Sequence, residues 1–129
     1  MVSQQQRQQR YILVVDDELD IVVIFRQALS RQGYEVFGFT DPLLALEHFR
    51  SNAQDYALVI SDTRMPRMSG FEFVAQVKSI NPDARVLLMS AFEISDLEFS
   101  ISPVKINGFL RKPVDVGTLV KKVKVAMAN

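Results

Sequence analysis

The chain has 129 residues, 48% hydrophobic and 23% charged, which fits one domain with a real core and excludes wholesale disorder. Fifteen Lys and Arg balance fifteen Asp and Glu, which argues against a dedicated nucleic-acid binder; the lack of cysteine removes disulfides, thiolate nucleophiles and cysteine-ligated metals. One histidine argues against a multi-histidine metal site or a Ser-His-Asp enzyme. Apolar runs such as Ile21 to Phe25 fall far short of the ~20 residues that span a bilayer. The start, polar and Gln-rich over 1–10, lacks the apolar core of a signal peptide, so the expectation is a soluble, cytoplasmic protein with a tail at 1–10 and one domain over 11–129.

From Tyr11 onward, short apolar runs alternate with amphipathic segments. Tyr11 to Val15 is a continuous, largely β-branched run, as in a strand buried on both faces. Glu18 to Arg31 predicts a helix with Ile21, Ile24, Phe25, Ala28 and Leu29 on its inner face, stopped by Gly33. Tyr34 to Phe39 reads as a second strand. Asp41-Pro42 supplies an N-cap and a proline at the first helical position of a helix to about Ser51. Leu58 to Ile60 is a third strand, and Ser69 to Glu72 is a capping box for a helix that ends before Asn81-Pro82. Arg85 to Ser90 predicts a fourth strand. Ser95 to Glu98 is a second capping box, for a helix that Pro103 limits to about two turns. Gly108 to Arg111 predicts a fifth strand, and Asp115 caps a last helix through Ala126. This strict alternation predicts an α/β fold, a doubly wound parallel sheet with right-handed crossovers and helices on both faces.

In such sheets chemistry collects at the carboxyl ends of the strands. The first strand ends in Asp16-Asp17, the third in Ser61-Asp62, the fourth in Ser90-Ala91, and the fifth in Arg111-Lys112-Pro113. If these strands are neighbours, three carboxylates, a hydroxyl and an ammonium share one shallow pocket. Two carboxylates ~4 Å apart repel by about 4 kcal/mol at an effective dielectric near 20. The cluster must therefore raise its pKa values, recruit Lys112 or bind a cation. Oxygen ligands with positions to spare suit Mg²⁺. A carboxylate beside Mg²⁺ and a lysine can attack phosphorus, because both cations neutralise the phosphoryl oxygens in the transition state; the product is an acyl phosphate.

These motifs in this order resemble the receiver domain of two-component response regulators, in its CheY-like, stand-alone form: Asp16-Asp17, the run Asp62 to Pro66 with Gly70 eight residues after Asp62, Ser90-Ala91, and Phe109 ahead of Lys112-Pro113. The resemblance covers Tyr11 to about Ala128. It implies a five-stranded flavodoxin-like sheet of order 2-1-3-4-5. It implies Asp62 as phosphoacceptor and Mg²⁺ held by Asp17 directly, by Asp16 largely through water, by Asp62 and by the backbone carbonyl of Arg64. Lys112 would pair with Asp62 and later with its phosphoryl group, Ser90 and Phe109 would be the switch pair, and the Lys112–Pro113 peptide would be cis. It also implies a histidine kinase or phosphotransfer protein as donor and a downstream protein as target, with no nucleic acid or membrane partner within this chain. The expected state is a monomer or a phosphorylation-linked dimer.

Two other functions compete with this reading. An Asp-based phosphohydrolase or phosphotransferase usually carries a second carboxylate two residues after its nucleophile; Arg64 stands there. A degenerate scaffold would lack part of the set Asp16, Asp17, Asp62, Ser90 and Lys112, all of which are present. Arg64 and Phe92 are the side chains expected to border the path of a hydrolytic water, and neither is a base, so slow self-dephosphorylation is expected. Leu19 and Val23 point away from the expected inner face of the first helix. They are either partly covered by a neighbouring loop or helix or, as the resemblance implies, form a docking patch for the helix bearing a partner's phosphohistidine. His48 is expected on the solvent side or edge of the second helix in a surface or packing role, Met65 and Met68 in loop packing, and Lys121, Lys122 and Lys124 on a solvated face near a helix C-terminus.

Overall fold

A computed structural model describes residues 11–91 and 105–128. In chain order the elements are β1 (Tyr11–Val15), α1 (Leu19–Ser30), β2 (Glu35–Phe39), α2 (Pro42–Asn52), a single 3-10 turn (Ala53–Asp55), β3 (Tyr56–Asp62), α3 (Gly70–Ile80), β4 (Val86–Ser90), β5 (Gly108–Arg111) and α4 (Val116–Ala128). The five strands form one parallel sheet in the order β2-β1-β3-β4-β5. The Gln-rich tail, the Ser95 capping box, Pro103 and Phe92 lie outside the described residues.

The core is two layers, one on each face, because side chains alternate along each strand. Ile12 and Val14 of β1, with Leu58 and Ile60 of β3 and Leu87 and Met89 of β4, pack against α1 and α4. The residues between them, Leu13, Val15, Val59, Val86 and Leu88, pack against α2 and α3. Burial on both faces explains the unbroken apolar runs. It also makes β3 longer than Leu58 to Ile60: all seven residues from Tyr56 to Asp62 are buried.

Three helix starts are capped as expected. Asp41 Oδ1 accepts from Leu43 N (2.9 Å), Ser69 Oγ from Glu72 N (3.1 Å), and Asp115 Oδ1 from Thr118 N (2.7 Å). In α1 the buried arc is Val22, Phe25, Ala28 and Leu29. Ile24, expected on the inner face, is 47% exposed, and Val22 takes its place. Gly38 in β2 provides the reason, since a Cβ there would lie 2.2 Å from Val22 Cγ1. Only a glycine lets α1 approach β2 on that side. Leu19 and Val23 lie off the buried arc and are exposed rather than partly covered.

His48 does pack: it is half-buried, its ring lies 5.2 Å from both Phe37 and Phe39, and its Nε2 bonds the Tyr56 hydroxyl. Lys121, Lys122 and Lys124 are exposed, but α4 continues to Ala128, so none of them falls in its last turn.

Gly38→Ala is expected to destabilise the fold by about 1–3 kcal/mol through overpacking. Gly38→Ala combined with Val22→Ala should recover part of that loss, measured as the midpoint of urea unfolding; simple additivity would contradict the contact.

Candidate functional site

Strand register brings the expected residues together. Val15 of β1 lies opposite Ser61 of β3, and Asp62 lies opposite Met89 of β4, so Asp16 and Asp62 emerge side by side. Ladder-like bonds continue past the strand ends: Asp16 N donates to Phe39 O (3.1 Å), Thr63 N to Met89 O (2.9 Å) and Lys112 N to Ser90 O (2.8 Å). The last bond anchors Lys112 beyond β5, and the Lys112–Pro113 peptide is cis. From there the side chain reaches across the end of β4. Its Nζ lies 2.7 Å from Asp16 Oδ2, 3.0 Å from Asp62 Oδ2 and 3.5 Å from Glu18 Oε1.

The two adjacent aspartates do different work. Asp16 is fully buried, with Oδ1 accepting from Glu18 N (2.9 Å) at the start of α1. Its Oδ2 receives no aligned hydrogen bond, and Lys112 faces it only as a charge. Asp17 is exposed and borders a cleft. Asp62 is nearly buried and its Oδ1 accepts from Thr63 N (2.9 Å). One oxygen from each of the three carboxylates lies within 4.8 Å of the others. Burial raises the Asp16 carboxyl above its ordinary pKa, outweighing the pull of Lys112. For Lys112, burial alone would lower the pKa, but its ion pairs with Asp16 and Asp62 outweigh burial and raise it, so the ammonium is held more firmly.

Glu18 adds a third carboxylate within reach of the Lys112 ammonium, and Asp17 a further negative charge beside Asp16 and Asp62. The excess negative charge, the unaligned lone pairs of buried Asp16 Oδ2 and the open side at Asp17 fit a hard divalent cation. Ser90 is buried at the end of β4, and Phe109 of β5, paired with Leu88, is half-buried against the α2/α3 layer. Arg64 is exposed.

Gly70, eight residues beyond Asp62, has a packing reason. It is the first residue of α3, and a Cβ there would lie 2.0 Å from Asp62 O and 2.7 Å from Thr63 Cα. Its own N–H donates to Thr63 O (2.9 Å). Three features went unread in the sequence: Glu18 beside Lys112, the Thr63 amide on Asp62, and an ion pair between Arg67 and Asp41. Glu18 could have been suspected from its place after Asp16-Asp17. No local signal marks the other two.

A doubly wound sheet with an acidic pocket and a reaching lysine at its carboxyl edge defines a phosphoryl-accepting class of α/β domain. The sequence matches the response regulator receiver domain over residues 12–124, and the chain belongs to that family. It is 34% identical over 120 residues to transcriptional regulatory protein ZraR of Klebsiella oxytoca, covering 92% of this chain and 26% of that protein. It is 28% identical over 113 residues to sporulation initiation phosphotransferase F of Bacillus subtilis, covering 88% and 90%. Similar solved structures include chemotaxis response regulator CheY4 of Vibrio cholerae (31% identity, TM-score 0.78, 90% and 97% covered). Another is response regulator TrrA of Thermotoga maritima in complex with Mg²⁺-BeF (31%, 0.77, 91% and 98%). The chain spans about a quarter of the length of the curated relatives it matches first.

The protein is thus a phospho-accepting receiver of two-component signalling. Receivers bind Mg²⁺ at an acidic pocket, here the Asp16–Asp17–Asp62 cluster, and interact with histidine kinases or phosphotransfer proteins. The family fits a non-enzymatic signalling role. Among the described residues no helix is long and apolar enough to cross a membrane.

Gly70→Ala is expected to push on the Asp62 backbone. It should cost more than about 2 kcal/mol by denaturant unfolding and lower phosphoryl uptake in the protein that remains folded. Uptake and stability equal to wild type would show that the contact is readily relieved.

Proposed function

We propose that Asp62 is the phosphoacceptor of a receiver domain spanning 11–129, preceded by a tail at 1–10, that signals in the cytoplasm through protein contacts. The observation that carries this reading is the meeting of Asp16, Asp17 and Asp62 at one edge of the sheet, with Lys112 against Asp16 and Asp62. Asp16, Asp17, Asp62 and the backbone carbonyl of Arg64 would hold Mg²⁺, which when bound supplies positive charge against the phosphoryl oxygens. Lys112 supplies a second positive charge beside Asp62.

The donor is a histidine kinase or phosphotransfer protein. An Asp62 carboxylate oxygen attacks phosphorus as the P–N bond of the donor's phosphohistidine breaks, and the electron pair returns to the imidazole. Thr63 N–H holds the Asp62 carboxylate in place for the attack. The resulting dianionic phosphoryl group offers strong acceptors to the Lys112 ammonium and the Ser90 hydroxyl. Movement of Ser90 toward it frees space for the Phe109 ring to turn inward, which biases a two-state β4–β5 face. The exposed Leu19 and Val23 of α1 supply a docking patch for the donor helix. Output passes to a downstream protein by a monomer or a phosphorylation-linked dimer. A hydrolase would need a base two residues past Asp62, where exposed Arg64 stands.

With a small acyl phosphate donor and Mg²⁺, the protein should take up phosphate to at most one equivalent, and Asp62→Ala should take up none while remaining folded. Label mapped to Asp16 or Asp17 in that variant would overturn the assignment; multiple turnover would indicate a hydrolase. Lys112→Ala should still be labelled but should lose the amide shift changes around Ser90 and Phe109 that accompany phosphorylation. A full response without Lys112 would refute its role in switching.

A further inference from the structure

The β3–α3 loop, residues 63–69, is closed at its base and tied at its tip. At the base Gly70 N donates to Thr63 O (2.9 Å), and within the loop Met68 N donates to Pro66 O (2.9 Å). At the tip Arg67 Nη1 donates to Asp41 Oδ2 (2.9 Å) across the sheet edge. Arg67 has φ of 74°, a left-handed conformation that is unfavourable for a side chain of this size and that this loop imposes without a glycine. Asp41 is bound at both oxygens, since Oδ1 already accepts from Leu43 N as the cap of α2. The anchor is therefore fixed to a helix rather than to a mobile side chain.

Between tether and acidic pocket lies a cleft of about 310 Å³ lined by Asp17, Thr40, Asp41, Pro42, Pro66 and Arg67. Asp17 belongs to both cleft and pocket. The loop so tied is the one that carries the Arg64 carbonyl, three residues before Arg67.

We infer that the Arg67–Asp41 ion pair is a positioning device that holds the β3–α3 loop over the acidic pocket and so sets how tightly the pocket holds a divalent cation. The inference rests on the reading of that pocket as the Mg²⁺ site. A loop released from α2 samples a wider range of positions of that carbonyl relative to the carboxylates. Cation binding must then bear the cost of ordering it, and the apparent affinity falls by the fraction of time the loop is in place. Arg67 acts through the loop and touches neither cation nor phosphoryl group in this role.

Mg²⁺ titration calorimetry on the unphosphorylated protein tests this with variants that keep the local backbone. Asp41→Asn retains the cap on α2, and Arg67→Asn tolerates the left-handed conformation. Each should weaken Mg²⁺ binding two- to fivefold, about the range of an exposed ion pair. The double variant should be no weaker than either single one, and Arg67→Lys should stay near wild type. Through-space charge predicts otherwise: Arg67→Asn would tighten binding, Asp41→Asn would weaken it and the double variant would be neutral. That pattern, or affinities all equal to wild type, overturns the inference and leaves the pocket reading intact. Absence of saturable Mg²⁺ binding in the wild type overturns both.

Discussion

Asp16, Asp17 and Asp62 meet because β1 and β3 run parallel, side by side, and end at the same level, with Val15 opposite Ser61. A parallel sheet forces this coincidence, since all its strands discharge their last residues on one edge. Mutual repulsion at such distances opposes folding, and the rest of the site answers it. Lys112 comes from the end of β5, two strands from β3 and three from β1, to place its ammonium against Asp62 and Asp16. The Glu18 and Thr63 amides each donate to one carboxylate. The remaining negative charge is what makes the pocket receptive to a cation. Instability at the site and its chemistry share one electrostatic cause.

The scaffold around this edge is rigid at Asp62. β3 is buried along its whole length, and α3 begins directly on the backbone of Asp62 with no side chain between. Asp62 therefore has little freedom to retreat from its neighbours. Asp17 and Arg64, by contrast, are exposed. The buried half of the site holds geometry, and the open half faces solvent.

Neighbouring loops reinforce one another through shared anchors. Asp41 caps α2 with one oxygen and receives Arg67 with the other. Asp16 starts α1 with one oxygen and faces Lys112 with the other. In both cases one carboxylate joins the start of a helix to a functional loop, so the helices on either side of β1 are mechanically part of the site.

Much of this was legible from local pattern. Continuous β-branched runs, capping residues and prolines mark strands and helices because their cause lies within a few residues. The rule that chemistry sits at strand carboxyl ends then singles out Asp16, Asp17, Asp62, Ser90 and Lys112. Other features depend on residues far apart in sequence. Residues 21–25 are all apolar, so periodicity could not choose between Ile24 and Val22; the notch at Gly38 chose Val22. That Asp16 is buried while Asp17 is open follows from the turn into α1 as it packs on the sheet. The Arg67–Asp41 pair joins residues 26 apart in sequence through a backbone conformation that arginine does not advertise. Local periodicity determined the elements and the residues at their ends, whereas the approach of one element to another, a matter of register and steric fit, was decided only by the assembled fold.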